Sequence, residues 1–258
     1  MSIRKSIIVV FRVLPYVLLV LVLKWYFHDQ GWEFISLIPV FTALLGATVF
    51  LMGFLISGVL SDYKESEKIP GELASTLLTI ADEIEYIHIK SGDTGFAKER
   101  FSFIYSLADE IRKWLYREVK TKNISVMIDN LSGEFFLMEK YALPNYIARL
   151  KQEQNNLRKI ITRIHAIRET DFVFSGYFLA RTVTFLLIIG LILLKVEPFY
   201  ESLFFIGLIT YLLIFLLRLI RDLDNPFGYD EKNSIEDVSI HPLEDAIRKL
   251  QEKVISLS

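Results

Sequence analysis

The histidines are His28, His88, His165 and His241, and the chain has no cysteine. A reaction centre needs a nucleophile beside a base, a metal cluster or a phosphate-binding loop. No histidine pair has the i, i+4 spacing of a helical metal site, and neither an H-E-x-x-H run nor a glycine-rich phosphate loop occurs. Without cysteine there is no disulfide, thiolate nucleophile or thiolate metal site. These residues point away from an enzyme and read as surface or helix-packing groups.

A different pattern bears on ions rather than bonds. In GATVFLMGFLISG, residues 46–58, every fourth position reads Gly46, Phe50, Phe54, Gly58. That spacing lays one stripe along a helix. Ala43, Ala47 and Ser57 add further small residues beside it. Two readings follow. Small residues let membrane helices approach closely, so the stripe can be packing against the chain's other spans. Alternatively, copies of this helix surround an axis, and Phe50 and Phe54 ring it as a hydrophobic neck. A narrow apolar passage expels water and can gate ions. Aromatic rings are negative on the face and positive at the edge, so ring orientation would bias the neck toward cations or anions.

The stripe lies in one of four long apolar stretches. The chain is 258 residues long and 52% hydrophobic, more apolar than an ordinary soluble domain. A spanning helix needs about 20 apolar residues. Candidate spans run over 7–27, 35–60, 177–194 and 199–220. The basic start followed by an apolar stretch resembles a signal peptide, but Lys24, Trp25, Tyr26 and Phe27 stand where small residues would mark cleavage, so a retained anchor is expected. Arg4, Lys5, Arg12, Arg218 and Arg221 flank one side of the spans, while the short loops carry Asp29, Glu33, Glu197 and Glu201. The Lys/Arg bias predicts a multi-pass protein of the cell membrane with both termini and the middle segment cytoplasmic, and with Trp25, Tyr26 and Trp32 in an outer aromatic belt. Arg181, near the inner end of the third span, can snorkel to the interface or face a pore vestibule.

The charged middle is helical. Leu73, Leu77, Ile80, Ile84 and Ile87 follow the 4-3-4-3 spacing of a packed face. Phe101, Ile104, Ala108, Ile111 and Leu115 form a second face, and Ile147, Leu150, Leu157, Ile161 and Ile164 a third. VMIDNLSGEFFLMEKY reads as a shorter, broken helix, and Pro70–Gly71 as a kink or break in a rod continuing the second span. The fold class is all-α. The organisation is a transmembrane hairpin over 1–62, a cytoplasmic helical region over 63–175, a second hairpin over 176–221, and a tail over 222–258 packing on the helical region. With Lys+Arg 29 against Asp+Glu 31, the charge suggests no nucleic-acid partner. The expected partners are the lipid bilayer, further copies of the chain and permeant inorganic ions.

Two stretches resemble the bestrophin family of ion channels. MGFLISGVLSDYKESEKIPGEL looks like the family's second span with its Gly-Phe pair. RDLDNPFGYDEKNSIEDVSI looks like the Asn-Pro-Phe-Gly turn and acidic run after its fourth span. The resemblance implies a homopentamer with the second span lining the pore and a neck at the positions of Gly46, Phe50 and Phe54. Gly46 replaces a bulky family residue, which opens the outer neck. Asp62, Tyr63 and Lys64 stand where the family has paired tryptophans and an arginine. Some members bind calcium beside the turn; the oxygen-bearing positions here are Asp222, Asn225, Asp230 and Asn233. Two readings of that turn stand, a calcium site and a helix stop made by Asn225, Pro226 and Gly228. For the whole chain the leading expectation is an oligomeric channel for small, chloride-like anions. The alternatives are a cation-selective channel of the same build, favoured by the slight acidic excess, and a non-conducting membrane scaffold or sensor.

Overall fold

Where the sequence places long apolar runs, the chain forms long helices. The computed structural model describes residues 2–169, 174–229 and 237–257, with side-chain surroundings from Phe11 onward, Phe174 apart. Nine helices occur among the described residues, with one two-residue ladder. In order they are α1 (Ser2–Asp29), β1 (Ile35–Ser36), α2 (Pro39–Ser66), α3 (Ile69–Ser91), α4 (Thr94–Leu115), α5 (Thr121–Met138), α6 (Pro144–Glu169), α7 (Phe174–Leu193), β2 (Leu194–Lys195), α8 (Phe199–Asp224) and α9 (His241–Ser256). The fold is all-α. Helices α1, α2, α7 and α8 are long and apolar enough to cross a membrane.

Contacts divide the chain into two units, 1–62 with 171–225 and 63–170 with 226–258. The second unit is a helical bundle with a conventional core. Every apolar position of the three 4-3-4-3 faces is buried there, joined by Leu243 and Leu250 of α9. The 91–95 breaker works as two caps. Gly92 takes a left-handed φ of 68° at the end of α3, and Asp93 accepts the Phe96 amide at 2.9 Å to start α4. That hydrogen bond, with a second from the Tyr141 hydroxyl, holds the Asp93 carboxyl below its ordinary range.

Two sequence expectations change here. The 126–141 stretch is not broken: α5 runs through Gly133, held by buried Ile124, Ile128, Leu131, Phe135 and Met138. Its polar side is tied to α6 through buried Gln154, whose amide donates to the Ile128 carbonyl at 2.5 Å and accepts the Ser132 hydroxyl at 3.1 Å. The break after the second span falls at Glu67–Lys68, earlier than Pro70. Pro70 instead lies in the first turn of α3, where a missing amide donor has no helical partner to lose.

In the first unit, α1 packs on α7 and α8. One end of the unit is closed by a charge cluster. Lys24 is 0% exposed. Its ammonium donates to Glu33 and to the carbonyls of Ile192 and Leu194, which satisfies all three N–H groups. His28 Nδ1 lies 2.9 Å from the other Glu33 oxygen, and its ring stacks on Phe199 at 3.7 Å. Residues Ile35–Ser36 pair in parallel with Leu194–Lys195, which delays the start of α2 to Pro39. Trp25, Tyr26 and Trp32 are exposed, with Tyr26 and Trp32 edge to face at 6.1 Å.

Burial pushes the Glu33 carboxyl up, but hydrogen bonds from Lys24 and His28 outweigh it and hold the group below 4.5. A depressed carboxyl stabilises the fold above its ordinary range, and that contribution disappears as pH falls through the folded value. The thermal midpoint in detergent should therefore fall in the wild type as pH drops below about 4.5, and this acid limb should be weaker in Glu33→Gln. Lys24→Met alone strands a buried carboxylate and should cost about 3–5 kcal/mol. Lys24→Met with Glu33→Leu should recover much of the loss in the same melting assay.

Candidate functional site

The second span's own sequence decides which side of it is covered. Thr48, Met52, Leu55 and Val59, spaced 4-3-4, are buried in the first unit. Thr48 can be buried because its hydroxyl donates to the Leu44 carbonyl at 2.8 Å. A helix turns by 3.6 residues, so positions 46, 50 and 54 lie roughly opposite that face. They are uncovered there. Phe50 is 78% exposed and Phe54 68%. Ala43, Gly46, Ala47 and Ser57 are exposed as well, and Gly58 is half-buried. The described chain thus gathers the stripe on one free face of α2 and covers neither ring with its own helices.

Glycines separate packing from other uses of smallness. A Cβ on Gly190 would meet the Phe41 ring at 2.8 Å, and one on Gly207 would meet Leu21 at 3.4 Å. These glycines are small because the chain's own side chains press on them. A Cβ on Gly46 or Gly53 meets nothing within 4 Å. Packing inside the chain therefore does not require glycine at 46 or 53.

At the other end of the membrane-type helices, α8 stops at Asp224 and Asn225 follows as its C-cap, with φ −115°. In the second unit, Phe227 is fully buried, Pro226 accepts the Val238 amide at 2.9 Å, and the Tyr229 hydroxyl donates to the Val238 carbonyl at 2.6 Å. Burial pushes the Tyr229 hydroxyl well above its ordinary value, so it stays protonated as that donor. Asn225 thus ends α8, and Phe227 is a packed core residue. Of the oxygen-bearing positions, Asp222 and Asn225 are described, whereas Asp230 and Asn233 lie outside the described residues. Among the described residues, no group of three His, Asp or Glu side chains is placed to hold a metal. Arg181 is exposed on α7.

Solved structures share this arrangement of helices. A bacterial bestrophin homologue from Klebsiella pneumoniae, phased with zinc, superposes at TM-score 0.71 with 14% identity, over 96% of this chain and 97% of its own. A point variant described as the same kind of homologue, from the same organism, gives 0.72 at 14% identity, over 96% and 98%. The chain has the bestrophin fold. No family model and no curated protein matches the sequence. At this identity the likeness lies in the backbone. Within the bestrophin fold, sequence reasoning located the α2 stripe through its spacing. It missed the Lys24–Glu33–His28 cluster, whose only signal was a lysine at a span end and a histidine four residues later.

The two glycine classes should behave differently in a thermal-shift series. Gly46→Ala and Gly53→Ala should fold as well as the wild type or gain about 0.5–1 kcal/mol from helix propensity. Gly190→Ala should lose about 1–3 kcal/mol, because the Phe41 ring must move.

Proposed function

We propose that the chain is one subunit of a homo-oligomeric ion channel in the cell membrane, with α2 facing the central axis and Phe50 and Phe54 forming a neck for small anions. The observation that carries this reading is the exposure of both rings, 78% and 68%, on the one face of α2 that the chain leaves uncovered. The bestrophin fold supports it, and the family resemblance implies five copies. The polar unit and both termini sit on the cytoplasmic side, as the distribution of Lys and Arg favours.

In this reading an ion sheds part of its hydration at Phe54 and Phe50, which lie about 6 Å apart along the axis. Gly46, a further turn away, leaves the mouth wide. No Asp, Glu, Lys or Arg occurs between Pro39 and Leu60. Cation pathways are typically ringed by carboxylates. A charge-free aromatic neck favours anions when ring edges turn inward. Selection then comes from weak quadrupolar fields and ease of dehydration, which among small anions favours the more weakly hydrated.

Planar-bilayer recording of purified protein tests this. Wild-type protein should conduct, with a reversal potential in a KCl gradient near the chloride equilibrium potential. Phe50→Ala and Phe54→Ala should each raise unitary conductance severalfold. A silent protein overturns the channel reading, unchanged conductance overturns the neck, and reversal near the potassium potential assigns the same build to cations.

A further inference from the structure

Between the start of α2 and the α7–α8 connection, the first unit holds a cavity of about 350 Å³. This is within the size range of small-molecule sites. Its wall is apolar, made largely by Leu37, Phe41, Leu45, Leu194, Phe205 and Ile209. Among its polar lining residues, Ser202 already donates its hydroxyl to the Phe199 carbonyl at 2.7 Å. Two carboxylates, Glu197 and Glu201, also line it, both on exposed residues.

No cation in the described first unit serves those carboxylates. Lys24 is consumed by Glu33 and two carbonyls, and His28 by Glu33. In β2, Leu194 is buried and lines the cavity, whereas Lys195 is exposed and is not among its lining residues. The cavity therefore combines a chamber of apolar side chains with two carboxylates, at the end of helices that are themselves membrane-type.

We propose that this cavity binds a cationic amphiphile, its alkyl chain against Phe41, Leu45 and Ile209 and its ammonium head between Glu197 and Glu201. The charge pattern selects this occupant over a zwitterionic phospholipid, whose phosphate would sit beside two carboxylates without a basic partner. It also selects against a plain apolar chain, which would leave the two carboxylates unused. The inference depends on the four helices lying in a bilayer and is independent of conduction.

The probe is dodecylamine carrying a diazirine near the chain end, added to the full-length protein in its native oligomer in phosphatidylcholine nanodiscs at neutral pH. Labelled residues are mapped by peptide mass spectrometry. Saturable labelling is expected in the peptides holding Leu45 and Ile209. Unlabelled dodecylamine should compete about threefold to tenfold better than dodecanol, the range that exposed charge pairs supply. Glu197→Gln with Glu201→Gln should equalise the two competitors without removing labelling. Ile209→Trp should abolish labelling while the thermal midpoint confirms folded protein; if it does not fold, Leu45→Phe serves the same purpose with a smaller volume change. Equal competition in the wild type, displacement by phosphatidylethanolamine in preference to dodecylamine, or labelling only after the oligomer is dissociated would each overturn the proposal. The last result would show that a second copy fills the cavity. Labelling in a protein that conducts nothing would leave the amphiphile site intact and remove only the channel reading.

Discussion

Burial of Thr48, Met52, Leu55 and Val59 sets the rotation of α2 about its own axis, and the character of its free face follows from that rotation. The four side chains form a narrow seam, and turning the helix would expose Met52, Leu55 and Val59. Once the seam is fixed, Phe50 and Phe54 must stand off the subunit. Their exposure is a consequence of packing elsewhere on the same helix. A membrane-type helix of this composition could present any face to lipid at little cost. It is the seam, and not the aromatics, that distinguishes one face from another.

The glycines make the same division from another direction. Where the chain needs helices close together it spends glycine on the contact, as at Gly190 under Phe41 and Gly207 under Leu21. On the free face of α2 glycine has no such employment. Smallness at Gly46 and Gly53 therefore has meaning only in relation to something outside the single chain, whether lipid, another copy or an open passage. The charge cluster at the other end of α1 is fixed with equal definition. A fully buried ammonium is tolerable because Glu33 and two carbonyls accept all its protons, and the price of that arrangement is the rigidity it imposes on the hairpin. Gly31, with φ 68°, lets the chain fold back between Lys24 and Glu33.

Much of this architecture is written in local patterns, and what is not has a common cause. In the second unit, water lies on one side of each helix and core on the other, so apolar spacing separates them cleanly, and each residue read as core in α3, α4 and α6 is buried. In the first unit, the covered and the uncovered faces of a helix are both apolar, so the seam at 48, 52, 55 and 59 cannot be told from the stripe at 46, 50 and 54 by hydropathy. Spacing and residue size identified the stripe; only coordinates reveal which stripe is covered. The fate of Lys24 was illegible because its acceptors Ile192 and Leu194 are 168 and 170 residues away. The late start of α2 depends on an equally distant pairing of Ile35 with Leu194. The 126–141 stretch departs in the opposite sense, reading as a broken helix yet continuous through Gly133. Local propensity marks it as a break, yet five buried side chains on α5 outweigh one glycine, which costs about 1 kcal/mol.

The distribution of charge along the membrane unit also constrains what its free face can do. Lys24 and Glu33 neutralise one another at one end, and the segment from Pro39 to Leu60 carries no charge at all. Under the proposed function, the barrier at the neck is then set by dehydration against two aromatic rings and not by a fixed counter-charge. Such a barrier depends on ring size and tilt and hardly on ionic strength, whereas a charged ring would be screened over about 8–10 Å at physiological salt. Changing the width of such a neck by rotating α2 would have to work against the burial of that seam. The seam that fixes that rotation is consequently the element through which any change elsewhere in the subunit would reach the path of the ions.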